Sequence, residues 1–227
     1  MATAAGLCFG SRGSDTGGSI RFPAAACGTV GLKPTWGRVS RHGVLPLAES
    51  LDHVGPLTRC VADAGILLQA IAGHDSNDPT SLPEPVPDML AGVGRGLEGI
   101  RFGYDEHYAT HDVDEEVGTA VSKAVSELEL LGARIAPVEL PDMDPYVEAW
   151  VTLCSSEAVA SHRGTYPSRR ADYGPWFRDW LDLGPASAPP STPLRTVYAC
   201  SPTVTSAGCS RTSTSSSVLR CRRRRSR

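Results

Sequence analysis

Apolar residues recur at helical spacing in two stretches of this chain and gather in short runs elsewhere. In TRCVADAGILLQAIAG, residues 58–73, Val61, Ala64, Leu68 and Ile71 share one face. Thr58 is placed to cap that helix and Gly73 to stop it. The second stretch, DVDEEVGTAVSKAVSELELLGA at 112–133, carries the stripe Val117, Val121, Val125, Leu128 and Leu131. Acidic residues crowd its first turn, where the helix dipole favours them, and Gly132 fits a left-handed stop. GIRFGYD (99–105) before it reads as a buried strand and RIAPVEL (134–140) after it as another. Strand, helix and strand in succession form a βαβ unit, which makes the class α/β.

The flanking regions differ in character. Residues 1–57 are rich in glycine and small residues, with short β-like runs such as GTVGL and GRVSRHGVLPL between turn signals. HDSNDPTSLPEPVPD, after the first helix, is a polar, proline-rich loop. Residues 146–183 read as helical and aromatic. From 185 onward Asp, Glu and Lys vanish together with any apolar period, a composition that cannot form a core. The expected organisation is one domain over 1–184 and a non-globular tail over 185–227.

Composition narrows the class. A hydrophobic share of 41% with 21% charged residues is that of a soluble globular protein. No apolar run reaches the roughly 20 residues of a membrane helix, and MATAAGLCFGSRGSD lacks a signal peptide's basic start. Seven cysteines at irregular spacing, with no C-x-x-C pair, point to reduced thiols and a cytoplasmic setting. The net charge of −3 is uneven: residues 211–227 hold seven of the 22 basic side chains, leaving 15 against 25 acidic ones before them.

Candidate chemistry concentrates in GSDTGGSIRFP, residues 13–23. Glycines 17 and 18 allow successive backbone N–H groups to converge beside the hydroxyl of Ser19, as an acyl-transfer site requires for its oxyanion. A loose glycine-rich turn has the same spacing, so both readings stand on the residues alone.

Several separated pieces decide between them: GSDTGGSIR, CGTVGLKPT, GRVSR, SLDHVGPLTR and GHDSNDPTS. Together they resemble the amidase signature family, densely from Ala5 to Ser81 and more loosely to about Gly184. The resemblance implies a mixed central sheet flanked by helices. It also implies hydrolysis of carboxylic amides through a serine, a bridging cis-serine and a lysine, with no metal and no cofactor. Ser19 is then the nucleophile, the N–H groups of Thr16, Gly17, Gly18 and Ser19 form the oxyanion hole, and Asp15 supports the loop. Arg21 either helps hold that loop or is a surface charge. A buried lysine loses its proton more readily, which lets it accept one relayed from the serine.

By the same resemblance, the bridging serine and the lysine belong upstream of residue 19, so the chain is expected to be N-terminally truncated and nearly inactive. Of the two lysines present, Lys33 matches a structural segment and Lys123 lies mid-helix; neither suits the role. The partner implied is a small amide, with no nucleic acid or membrane. Phe22 in SIRFPA favours stand-alone amidases over the A subunit of glutamyl-tRNA(Gln) amidotransferase, where the resemblance is to SIRQPA. A non-catalytic binding fragment is the alternative from another class.

The remaining candidates are weaker. His107 and His111 have metal-ligand spacing but lie in a loop-like stretch with no third ligand. Asp52 reads as bracing its turn, His53 as ordinary and Cys27 as a small buried residue. Tryptophans 150, 176 and 180 read as packing residues or pocket lining. In the tail, CSRTSTSSSVLR at 209–220 read in a neighbouring frame gives LADVDVLLGAA, which resembles a DVDVLL strand of the family. A frame shift near 185–195 would account for the arginine-rich end better than nucleic-acid binding does.

Overall fold

The computed structural model describes residues 1–187. In chain order the elements are β1 (Gly10–Asp15), α1 (Arg21–Ala26), β2 (Val30–Gly31), β3 (His53–Thr58) and α2 (Val61–Ile71). There follow β4 (Arg101–Tyr104), α3 (Glu106–Thr110), α4 (Glu115–Leu130), β5 (Arg134–Pro137), α5 (Asp144–Ser161) and α6 (Pro175–Ser187). These form two compact units within the stretch expected as one domain: residues 1–91 with 144–187, and residues 92–143.

The first unit is built on the antiparallel sheet β1-β3-β2. β1 pairs with β3 in the register Gly10 to Thr58 through Asp15 to His53, and β2 pairs with the other edge of β3. Glycine and serine have little strand propensity, so β1 (GSRGSD) exists through this pairing and not through local preference. Val39, Val54 and Leu68 form a core beneath the sheet, with Leu32, Ile71 and Met89 packed around them. A second cluster, Ala158, Tyr166 and Leu181, joins α5 to α6. GRVSRHGVLPL yields only an isolated bridge, Val39 to Ala72, because its backbone is spent on turns.

Two details of α2 depart from the sequence pattern. Thr58 ends β3, buried, and its hydroxyl donates to the carbonyl of Cys60 at 2.8 Å; Cys60 is the residue at the cap position. Val61 is exposed, so the buried stripe of this helix starts at Ala64 and runs through Leu68.

The second unit is the βαβ unit read from the sequence. β4 and β5 run parallel, Arg101 opposite Arg134 through Tyr104 opposite Pro137, with α4 as the crossover. β4 is alternately exposed and half-buried, and not a buried strand, because its sheet has only two strands. The valine stripe of α4 is likewise half-buried, Leu131 is exposed, and Gly132 takes the left-handed stop at φ 93°. His107 lies in the short helix α3, capped by Asp105, whose carboxylate accepts the N–H of Tyr108 at 2.8 Å. His111 follows at its end and stacks on His107 with ring centroids 4.4 Å apart. Among the described residues no group of three or more His, Cys, Asp and Glu side chains gathers as metal ligands would.

No described helix is long and apolar enough to cross a membrane. The expected tail boundary at 184 falls inside α6, and the suspected frame shift and arginine run lie outside the described residues.

Candidate active site

The turn between β1 and α1 presents Ser19 as an exposed residue between two anchored neighbours. On one side Gly18 is buried, and its φ of 133° is a conformation that residues with a Cβ rarely adopt. On the other, Ile20 is wholly buried in a notch that three glycines leave in the sheet. A Cβ at Gly13, Gly31 or Gly55 would approach the Ile20 side chain to 3.3, 3.1 and 3.1 Å respectively. Glycine at these three positions therefore leaves room for the residue that follows Ser19.

Asp15, at the end of β1, organises the turn. Its buried carboxylate accepts the N–H of Gly18 at 2.7 Å, of Ile20 at 3.3 Å and of Arg21 at 3.4 Å. Arg21 adds two bonds of 3.0 Å through Nε and Nη2. Burial pushes the Asp15 carboxyl up, but the Arg21 hydrogen bond and charge, with the N–H groups of Gly18 and Ile20, hold it below its ordinary value. Of the two readings open for Arg21, the loop-holding one is what the geometry gives.

Of the N–H groups expected in the oxyanion set, that of Gly18 donates to Asp15. Among the described residues, the N–H groups of Thr16, Gly17 and Ser19 have no hydrogen-bond acceptor.

Thr16 and Gly17 are held from elsewhere in the unit. The Thr16 hydroxyl donates to Asp52, whose other oxygen accepts the N–H of Leu47 at 2.8 Å and of Ala48 at 3.2 Å. Asp52 thus braces its own turn, as read from the sequence, and ties it to the serine loop as well. The Thr16 carbonyl accepts the indole N–H of Trp150 from α5 at 3.1 Å. The Trp150 ring covers Gly17 so closely that a Cβ there would lie 2.5 Å from Cζ2. Trp150 thus packs on the loop and bonds it, whereas Trp176 is 85% exposed.

Lys33 and His53 complete the charged surroundings. Burial and then the Arg21 charge lower the Lys33 pKa, against the opposing pull of Asp15, and its ammonium donates to the Pro34 carbonyl at 3.2 Å. Burial and the Lys33 charge also lower His53, so its ring is neutral at neutral pH, with Nδ1 2.7 Å from the Leu51 carbonyl. Cys27 is half-buried and not a core residue.

Comparison with known proteins gives the same frame. The Amidase family profile matches residues 1–180. The chain is 47% identical over 174 residues to the A subunit of glutamyl-tRNA(Gln) amidotransferase from Salinibacter ruber, covering 75% of this chain and 34% of that one. It is 49% identical over 185 residues to AmiD of Mycobacterium tuberculosis, covering 81% of this chain and 38% of that one. A bacterial aryl acylamidase of the amidase signature family superposes with a TM-score of 0.70 at 27% identity, over 87% of this chain and 42% of the other. The chain therefore spans well under half the length of the proteins it matches.

Proposed function

Because the chain belongs to the amidase signature family, matched over residues 1–180, we propose that it carries the nucleophile of a carboxylic-amide hydrolase working through an acyl-enzyme at Ser19. The observation that carries this reading is the exposure of Ser19 beside the unoccupied N–H groups of Gly17, Thr16 and Ser19 itself, on a turn pinned by Asp15. Ser19 Oγ attacks the amide carbon, the carbonyl electrons move onto oxygen, and those N–H groups receive the oxyanion. Collapse expels the amine with a proton, and water then releases the acid.

Removing the proton from Ser19 needs a base. The lysine and bridging serine implied by the family resemblance have no counterpart within these 227 residues. Lys33, the only lysine of the first unit, is occupied by the Pro34 carbonyl. A small-molecule amide is the substrate class. Phe22 in SIRFPA, where the transamidation subunits resemble SIRQPA, favours a stand-alone amidase. The described cysteines, Cys8, Cys27, Cys60 and Cys154, are free thiols, which supports a reducing cytoplasmic setting.

The test is covalent labelling of the 227-residue chain with a fluorophosphonate, mapped by mass spectrometry. An adduct on Ser19 that disappears in Ser19→Ala is expected. A chain that takes up no label, or that labels equally after the substitution, is a non-catalytic binding fragment and overturns the reading.

A further inference from the structure

We propose that Trp150 is a positioning residue for the oxyanion donors: its indole N–H fixes the Thr16–Gly17 peptide so that the Gly17 N–H faces a substrate oxygen. This rests on the reading of Ser19 as nucleophile. A trans peptide holds its C=O and N–H in opposite directions. The Thr16 carbonyl points to Trp150, at 3.1 Å, so the Gly17 N–H of that peptide points away from the indole. Turning the peptide over would strip the indole of its acceptor and drive the Gly17 backbone against a ring that already fills the space of a Cβ, at 2.5 and 2.8 Å.

Accepting a hydrogen bond at its carbonyl also polarises a peptide and strengthens its N–H as a donor. Trp150 therefore sets both the direction and the strength of the Gly17 donor without touching the substrate. Its own position is fixed at a distance. The ring lies against Trp180 of α6, with centroids 5.7 Å apart. Further along α5, Glu157 accepts the N–H of Ser50 at 2.8 Å and its hydroxyl at 2.5 Å, in the turn that Asp52 braces. Helix α5, the 47–52 turn and the serine loop thus close a circuit around one peptide group.

Trp150→Phe deletes the donor together with the indole edge, Cζ2 and Cε2, that lies nearest Gly17. In this variant the fluorophosphonate is expected to acylate Ser19 about tenfold more slowly, less than the loss from removing an oxyanion donor outright. In nitrogen-15 spectra the Gly17 amide proton is expected to move upfield, while Trp176→Phe, at an exposed position, changes neither quantity. A wild-type acylation rate in Trp150→Phe overturns the proposal. If the unsubstituted chain labels no faster than Ser19→Ala, the nucleophile reading fails by itself. Deuterium exchange of the Trp150 indole N–H in the unsubstituted chain then decides whether the indole holds the Thr16 carbonyl, upheld if it is slowed relative to Trp176 and refuted if it is not. Should Trp150→Phe not fold, the unsubstituted chain answers through deuterium exchange. The Trp150 indole N–H must exchange at least about tenfold more slowly than that of Trp176, and equal rates refute the assignment.

Discussion

Asp15→Asn is the substitution that most directly tests how the serine loop is held. The carboxylate is 1% exposed and accepts three backbone N–H groups and two from the Arg21 guanidinium. An amide in its place turns an NH2 toward donors and leaves the guanidinium without its counter-charge. Breaking a buried ion pair from one side costs roughly 3–5 kcal/mol. Arg21 keeps 21% of its side chain in solvent and can partly rehydrate, which brings the expected loss to about 2–4 kcal/mol. That is a large share of the roughly 5–15 kcal/mol of a typical fold.

All four tryptophans lie in the first unit, so urea unfolding followed by their fluorescence reports that unit and not the βαβ unit. The midpoint should fall with the slope unchanged. The pH dependence supplies an independent check. The Asp15 pKa is lowered on folding, so its contribution is complete above the unfolded value near 3.8 and is lost as pH falls through the folded one. The gap between wild type and Asp15→Asn should therefore be full at neutral pH and smaller near about pH 3. A neutral-pH loss under about 1 kcal/mol, or a gap that widens on acidification, would refute the reasoning.

Two further outcomes follow from the same contacts. Gly17→Ala places a Cβ 2.5 Å from the Trp150 ring, so the indole must shift. A loss of about 1–3 kcal/mol and a red-shifted tryptophan emission are expected, and an unchanged spectrum would contradict the contact. Cys154 is buried, and burial first, then Asp52 and Glu157, push its pKa up to about 11. It stays a protonated thiol at about pH 8, so mapped alkylation should modify exposed Cys60 in the folded chain and reach Cys154 only on unfolding.

Local order was legible in the sequence wherever it depends on neighbours along the chain. The βαβ unit followed from a helical period between two short apolar runs, and the ends of α2 and α4 from their glycines. The serine loop was legible as chemistry because its backbone demands are local: glycines for unusual angles, and an aspartate three to six residues from the N–H groups it accepts. Family membership came through for the same reason, as several short segments each keep their own pattern.

Tertiary structure decided everything that depends on partners distant in sequence. β1 is a strand only because β3 offers it a ladder, which no propensity of GSRGSD announces. The solvent exposure of β4, Val61 and Leu131 depends on how many elements cover them, and a period gives the direction of a face but not its cover. Which N–H groups of the loop remain open was equally hidden, because Gly18 and Gly17 are alike as residues and only the fold decides that the Gly18 N–H reaches Asp15. The hold of Trp150 on Thr16 spans 134 positions. A sequence specifies such a contact only through the whole fold, since the free energy that brings the indole there belongs to the packing of α5 and α6 and not to any neighbour of residue 150.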